Sequence, residues 1–284
     1  MVKFGVNLLL WTDKFDSESV ELIPKVAGMG FEAVEIPIFD PEAVDLKATK
    51  EALKETGLIP IGGVIMSPER DPISDDPSVR RDAIDYLKAC VDITAELGGE
   101  LLCGPMYSAV GKLAGRPRTD EEWGRAVEAI REVADHAAPK NVTLAIEPLN
   151  RFETYFLNTA EDAVKLVEEV GRPNVKVHLD TFHMNIEEKN LPRAVIRTGE
   201  HLGHLHCSEN DRGIPGTGHI DWEGVFKALA QIGYDRFIVL ESFVPGIKEI
   251  AKAAAIWRPI NPSAEAFAQQ GLAFLKTLAR SILG

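Results

Sequence analysis

The chain has 284 residues, 45% hydrophobic and 26% charged, with a formal net charge of −13. These values suit one large soluble domain with an ample core. The negative charge argues against a nucleic-acid partner, which usually meets a basic face, and no apolar stretch is long enough to span a membrane.

The first residues, Met1 to Leu10, are apolar enough to pass for a signal peptide. Asp13 follows with no small-residue cleavage site, so a first β-strand is expected instead. A recurring pattern comes next: an amphipathic helix, a glycine turn and an apolar strand. It appears at Gly28-Met29-Gly30 before Phe31–Ile36, at Gly57 before Leu58–Ile65 and at Gly98-Gly99 before Glu100–Cys103. Gly171 before Val175–Asp180 and Gly233 before Arg236–Glu241 repeat it. Glycine just past a helix end relieves the strain of the left-handed backbone there.

Helix starts are also written in the chain. Pro24 predicts that the helix over 17–29 is kinked or starts late. Asp76-Pro77 places proline at a first helical position. Thr119 with Glu122 reads as a capping box, with Trp123, Ala126, Val127, Ile130, Val133 and Ala134 then holding helical period. Asn158 with Glu161 is read the same way.

Eight strands are expected, near residues 3–9, 32–37, 58–65, 99–104, 142–147, 175–180, 203–207 and 236–241. Their alternation with helices predicts a single-domain (β/α)8 TIM barrel over residues 1–284, with its site at the carboxyl ends of the strands. A doubly wound sheet would need a Gly-rich phosphate turn after the first strand, and Leu8-Leu9-Leu10-Trp11 supplies none. The segment Ser242–Pro262 is longer than an ordinary connection and is expected to cover the rim or build an oligomer contact. Its apolar Ile247, Ile250, Ala251, Ala254 and Ile256 favour a homodimer or homotetramer. Ala264–Leu283 closes the chain as a helix.

Cys90, Cys103 and Cys207 are odd in number with no close pair, which suits a reducing, cytoplasmic setting and excludes a Cys-rich zinc module. Cys207 adjoins His206, but neighbours on a strand face opposite sides, so it is read as a packing residue.

Glu147, Asp180, His206 and Glu241 each stand at the end of a short apolar run, about one strand–helix unit apart. Parallel strands would bring all four to one rim. Three carboxylates and an imidazole repel or go unsatisfied without a cation between them, so they read as a divalent-metal site. Oxygen-rich ligation suits Mg²⁺ or Mn²⁺, and one imidazole moves the preference toward Mn²⁺ or Co²⁺. His178 and His204 share strand faces with Asp180 and His206, so each either supports the site or packs inside the barrel. His136, His201 and His219 read as surface or loop residues. The glycines of Arg212-Gly213-Ile214-Pro215-Gly216-Thr217-Gly218 lack a following Lys or helix start in phosphate-loop register, so they read as a turn-rich loop over the site and not as a phosphate cradle.

The strings Asn150-Arg151-Phe152-Glu153 and Asp180-Thr181-Phe182-His183-Met184-Asn185-Ile186-Glu187-Glu188 resemble those of the ketose 3-epimerases. These are enzymes of the D-tagatose, D-allulose (D-psicose) and L-ribulose type, within the xylose-isomerase-like barrels. The resemblance runs from Phe4-Gly5-Val6 to Ile256-Trp257-Arg258. It implies one Mn²⁺, Co²⁺ or Mg²⁺ ion held by Glu147, Asp180, His206 and Glu241, with Glu147 and Glu241 exchanging the C3 proton. It further implies that Glu153, His183 and Arg212 contact the O1–O3 end of a ketose. The chemistry agrees: inverting C3 beside a carbonyl passes through an enediolate and needs one base on each face.

Asn7, Leu9, Trp11 and the stretch Leu102–Ser108 are expected to line the pocket beyond C3, with Met66 and Tyr107 as walls. The same metal set would also serve an aldose–ketose isomerase or an inosose dehydratase. A sugar-binding scaffold would not need Glu147 and Glu241. A multi-zinc nuclease would want more rim histidines and a basic surface.

Overall fold

The computed structural model describes residues 1–247, 251–252 and 254–284. Eight parallel strands follow one another around a closed barrel: β1 (Lys3–Asn7), β2 (Ala33–Pro37), β3 (Ile59–Gly63), β4 (Leu101–Gly104), β5 (Thr143–Ile146), β6 (Val175–Asp180), β7 (Leu202–Cys207) and β8 (Phe237–Leu240). Strand β8 pairs with β1 to close it. The helices are α1 (Leu22–Gly28), α2 (Leu46–Thr56), α3 (Pro77–Glu96), α4 (Asp120–Ala137), α5 (Ala160–Val170), α6 (Thr181–Glu187), α7 (Leu191–Thr198), α8 (Trp222–Gln231) and α9 (Ala264–Ile282). Among the described residues no helix is long and apolar enough to cross a membrane.

Both faces of these strands are covered, which is why they read as apolar runs rather than alternating ones. Ala33, Ile61, Leu101, Cys103, Ala145 and Val239 fill the barrel interior. Their strand neighbours Val34, Leu102, Leu144, Leu205 and Ile238 pack outward under the helices. Cys207 is among the outward-packed residues, as its place beside the inward His206 requires.

Several local expectations hold. The Thr119–Glu122 capping box opens α4, and Asp76 caps α3 ahead of Pro77. Helix α1 starts late, behind the 3₁₀ turn Ser19–Glu21, so Pro24 falls in its first turn, where an N–H has no helical partner to lose. Strand β1 ends at Asn7, short of residue 9, because the Asn7 side chain accepts from the Leu9 amide and turns Leu8–Leu10 into a 3₁₀ helix. The cap of α5 is Thr159, not Asn158. Asn158 instead donates to the Leu149 and Thr154 carbonyls and braces the loop after β5.

The segment after β8 lies over the rim. Phe243, Ala251 and Ile256 cluster there with Leu9 and Ile260. Ile250, expected to join that apolar set, lies outside the described residues.

Gly104, the last residue of β4, has φ +133°, and a Cβ there would meet the Val64 carbonyl oxygen at 2.1 Å. Its own carbonyl accepts from the Glu147 amide at 3.1 Å. Gly104→Ala is therefore expected to cost about 2–4 kcal/mol, from backbone strain plus the clash. A thermal melt should read this as a fall of roughly 3–7 °C. An unchanged midpoint would show that β3 and β4 tolerate a wider gap at the rim.

Candidate active site

Glu147 follows β5, Asp180 ends β6, His206 lies on β7 and Glu241 follows β8, so the four stand on adjacent parts of one rim. The β6–β7 register sets Asp180 directly beside His206. All four are buried, as are the companions His183 and Arg212. Asp180 also caps α6, its Oδ1 accepting from the Phe182 amide at 2.7 Å, which leaves Oδ2 facing the site.

Arg212 Nη1 donates to both Asp180 Oδ2 (2.6 Å) and Glu241 Oε2 (2.7 Å). Its guanidinium lies over the Phe182 ring, 4.1 Å from the centroid. The residue adopts φ +67°, uncommon for a side chain of this size, and Ser242 holds the turn by donating from Oγ to the Arg212 carbonyl at 2.6 Å. Buried Glu209 staples the rest of that loop, accepting from the amides of Gly216 and Ile220 and from Trp222 Nε1, each at 2.8 Å.

His183 Nδ1 accepts from the Asn150 amide at 3.1 Å, and its Nε2 lies 3.2 Å from Arg212 Nη2, a donor, so both ring nitrogens face donors. Nε2 faces Glu147 Oε1 at 3.8 Å. Burial, reinforced by Arg212, holds the imidazole below its ordinary value and therefore neutral. Asn150 Nδ2 also donates to Glu153 Oε1 at 2.7 Å, fixing that carboxylate at the pocket wall.

Charges set the protonation pattern. Burial works against ionisation at Asp180, yet Arg212, His183 and His206 bring it down to about 2. Burial, with Glu241 and Asp180 close by, pushes Glu147 well above the usual carboxylate range. Burial opposes a charge on His206 too, but the carboxylates of Glu35 and Glu241 raise it well above the ordinary imidazole value.

Glu35 was not anticipated from sequence. It lies on β2, 2% exposed, and its Oε2 meets His204 Nε2 and His206 Nε2, each at 2.9 Å. A carboxylate inside the apolar run Ala33-Val34-Glu35-Ile36 was the available signal, since an unpaired charge there would be costly. His204 and His178 both pack against His206, with centroid separations of 5.0 and 4.1 Å. His178 is held neutral by burial and by the other histidines, 3.7 Å from Glu147 Oε2.

The pocket above these groups has a volume of about 330 Å³. Its floor is polar, and its upper wall is formed by Leu9, Phe39, Ile65, Val110 and Phe243. Asn7, Cys103, Gly104 and Pro105 line it as expected. Met66, Trp11 and, from β4 and the stretch after it, Leu102, Met106, Tyr107 and Ser108 do not. Tyr107 is turned inward, stacking on Phe156 and donating to the Leu157 carbonyl at 3.3 Å, and Met66 is buried in the core. Trp11 Nε1 bonds Glu265 on α9.

The donor set fits a divalent cation. Asp180, His206 and Glu241 bring one ligand atom each within 4.8 Å of one another, as do Glu147, Asp180 and His183. His206 Nδ1, 3.3 Å from Glu241 Oε1, is buried without a hydrogen-bond partner. A buried imidazole nitrogen among carboxylates is the environment of a hard-to-borderline ion.

A closed (β/α)8 barrel with such a cluster at its carboxyl rim defines a class of barrel enzymes built around a buried acidic–imidazole site. The sequence matches the family described as xylose isomerase-like TIM barrel over residues 23–278, and the chain belongs to that family. It is 37% identical to a ketose 3-epimerase of Arthrobacter globiformis, covering 98% of this chain and 99% of that one. It is 34% identical to an L-ribulose 3-epimerase of a Methylomonas species, with 97% of each covered. The structure of a Methylomonas D-allulose 3-epimerase in complex with D-allulose superposes with a TM-score of 0.93 at 33% identity, covering 97% of this chain and 96% of that one.

Proposed function

We propose that this protein is a divalent-metal-dependent isomerase that epimerises free ketoses at C3, of the fructose/allulose, tagatose/sorbose or ribulose/xylulose type. The observation that carries this reading is the placement of Glu147 and Glu241. They end β5 and β8, non-neighbouring strands, and both line one pocket with Asp180 and His206 between them. The names of the full-length relatives support the same reaction.

Glu147, Asp180, His206 and Glu241 would hold a divalent ion (Mn²⁺ or Co²⁺, with Mg²⁺ as the harder alternative), which would supply positive charge to stabilise the negative charge developing on the sugar oxygens. Glu147 and Glu241 act as the acid/base pair: one takes the C3 proton, and the other returns a proton to the opposite face of the enediolate. The Arg212 guanidinium, with the neutral His183 beside it, supplies donors at the substrate carbonyl oxygen. Glu153 and Arg212 orient the O1–O3 end, and the apolar upper wall keeps bulk water from C3. An aldose–ketose isomerase on the same residues would need its base at C1. Three buried free cysteines are consistent with a cytoplasmic setting. The apolar segment after β8, with Trp257 74% exposed, supports assembly as a homodimer or homotetramer.

The test is NMR of D-fructose, D-tagatose and D-allulose incubated with Mn²⁺-loaded protein in D₂O. Deuterium at C3 together with the C3 epimer is the expected result. Deuterium at C1 with aldose formation would reassign the reaction as a 1,2-isomerisation, and no exchange at either carbon would remove the ketose reading.

A further inference from the structure

Glu35 is a buried carboxylate whose ion-pair partners are both histidines, His204 and His206, and their N–H groups converge on a single oxygen, Oε2. Its second oxygen, Oε1, accepts from Asn7 Nδ2 at 2.7 Å, and the same amide nitrogen donates to Glu241 Oε1 at 3.0 Å. Asn7 and Glu35 are register partners across β1 and β2, so their side chains enter the barrel on the same face. Gly63, at the end of β3, leaves room for this arrangement: a Cβ there would stand 3.3 Å from Glu35 Oε1. One carboxylate on β2 is thereby tied directly to His206 and, through Asn7, to Glu241.

We propose that Glu35 is a positioning residue that sets the tautomer of His206 and aims Glu241 from beneath the site. In the neutral form a metal ligand requires, Nε2–H stays on Glu35, and the His206 lone pair sits on Nδ1 and points toward Asp180 and Glu241. With one amide hydrogen of Asn7 committed to Glu35, the other fixes one oxygen of Glu241 and leaves Oε2 toward the pocket. A carboxylate behind a ligating histidine acts in this way in many metal sites, and its loss commonly weakens metal affinity 10- to 100-fold. Glu35, His204, His206 and Cys103 also lie close enough together to suggest a second ion among themselves. Two imidazole N–H groups already directed at one oxygen leave no nitrogen lone pair facing that point, so the network is read as support and not as a second metal centre.

This inference rests on the metal reading above, and the experiment separates the two. Mn²⁺ binding followed by electron paramagnetic resonance should show affinity about 10- to 100-fold weaker in Glu35→Gln. Glu35→Asp keeps the charge but falls a methylene short of both histidines, so it should be weakened comparably. Long-range ¹H–¹⁵N spectra of histidine-labelled, Mg²⁺-saturated wild type should show His206 protonated at Nε2, which stands even if a variant fails to fold. Wild-type affinity in folded Glu35→Gln or Glu35→Asp, or His206 protonated at Nδ1, would overturn the role of Glu35 alone. Wild type that binds no Mn²⁺ would remove the metal reading and this inference with it.

Discussion

Glu241→Gln is expected to lower turnover by about 10³- to 10⁴-fold, the upper range for loss of a positioned acid/base group, while the protein folds normally. The amide matches the carboxylate in shape, but it has one acceptor oxygen where the native group uses two. Asn7 and Arg212 approach opposite oxygens of Glu241, at 3.0 and 2.7 Å. The variant can keep one of those bonds and must turn an NH₂ toward the other donor. The loss should fall on kcat more than on KM, because the sugar contacts proposed for Glu153, His183 and the upper wall are left in place. Isotope exchange adds a sharper signature. With Glu147 intact, the epimer whose C3 proton faces it should still exchange with D₂O slowly without inverting, and the other epimer should not exchange. Turnover near wild type would show that Glu241 is not one of the two bases.

Chelation is expected to abolish activity, and Mn²⁺ or Co²⁺ should restore it. It should also reduce stability measurably. Holding a ligand at about 100 times its dissociation constant stabilises a fold by about 2.7 kcal/mol. For a chain of this size that corresponds to roughly 5 °C in the thermal midpoint. The metal-free protein should nevertheless remain folded, because Arg212 already offsets Asp180 and Glu241 and the histidines offset Glu35. A chelated sample with full activity would refute the metal reading. One with unchanged activity and a shifted midpoint would confine the ion to a structural role.

The barrel was legible in the chain because its strands are buried on both faces and its helix ends carry local signals. Apolar runs, glycines past helix ends and the Thr119–Glu122 box each depend on a few neighbouring residues. The rim positions of Glu147, Asp180, His206 and Glu241 followed from that frame alone, since parallel strands must end on the same side. What escaped depends on partners distant in sequence. Glu35 meets His204 and His206 across the barrel, at separations of 169 and 171 residues, and no short window reveals that contact. Tyr107 looked like a pocket wall because it follows β4, yet the Phe156 ring draws it inward. The shift from Asn158 to Thr159 at the start of α5 arose in the same way, with the asparagine amide taken by carbonyls of its own loop. Local capping rules see both residues as equally suitable.

The floor of the pocket and its wall come from different parts of the chain. The carboxylates proposed to handle the proton follow β5 and β8, whereas Leu9, Phe39, Ile65 and Val110 sit on loops beyond β1–β4, joined by Leu149, Phe243 and Ala254 from the other half. That division makes the molecule modular for an engineer. Loops of the first half can be randomised to reshape most of the wall, while Glu147, Asp180, His206 and Glu241 are left in place.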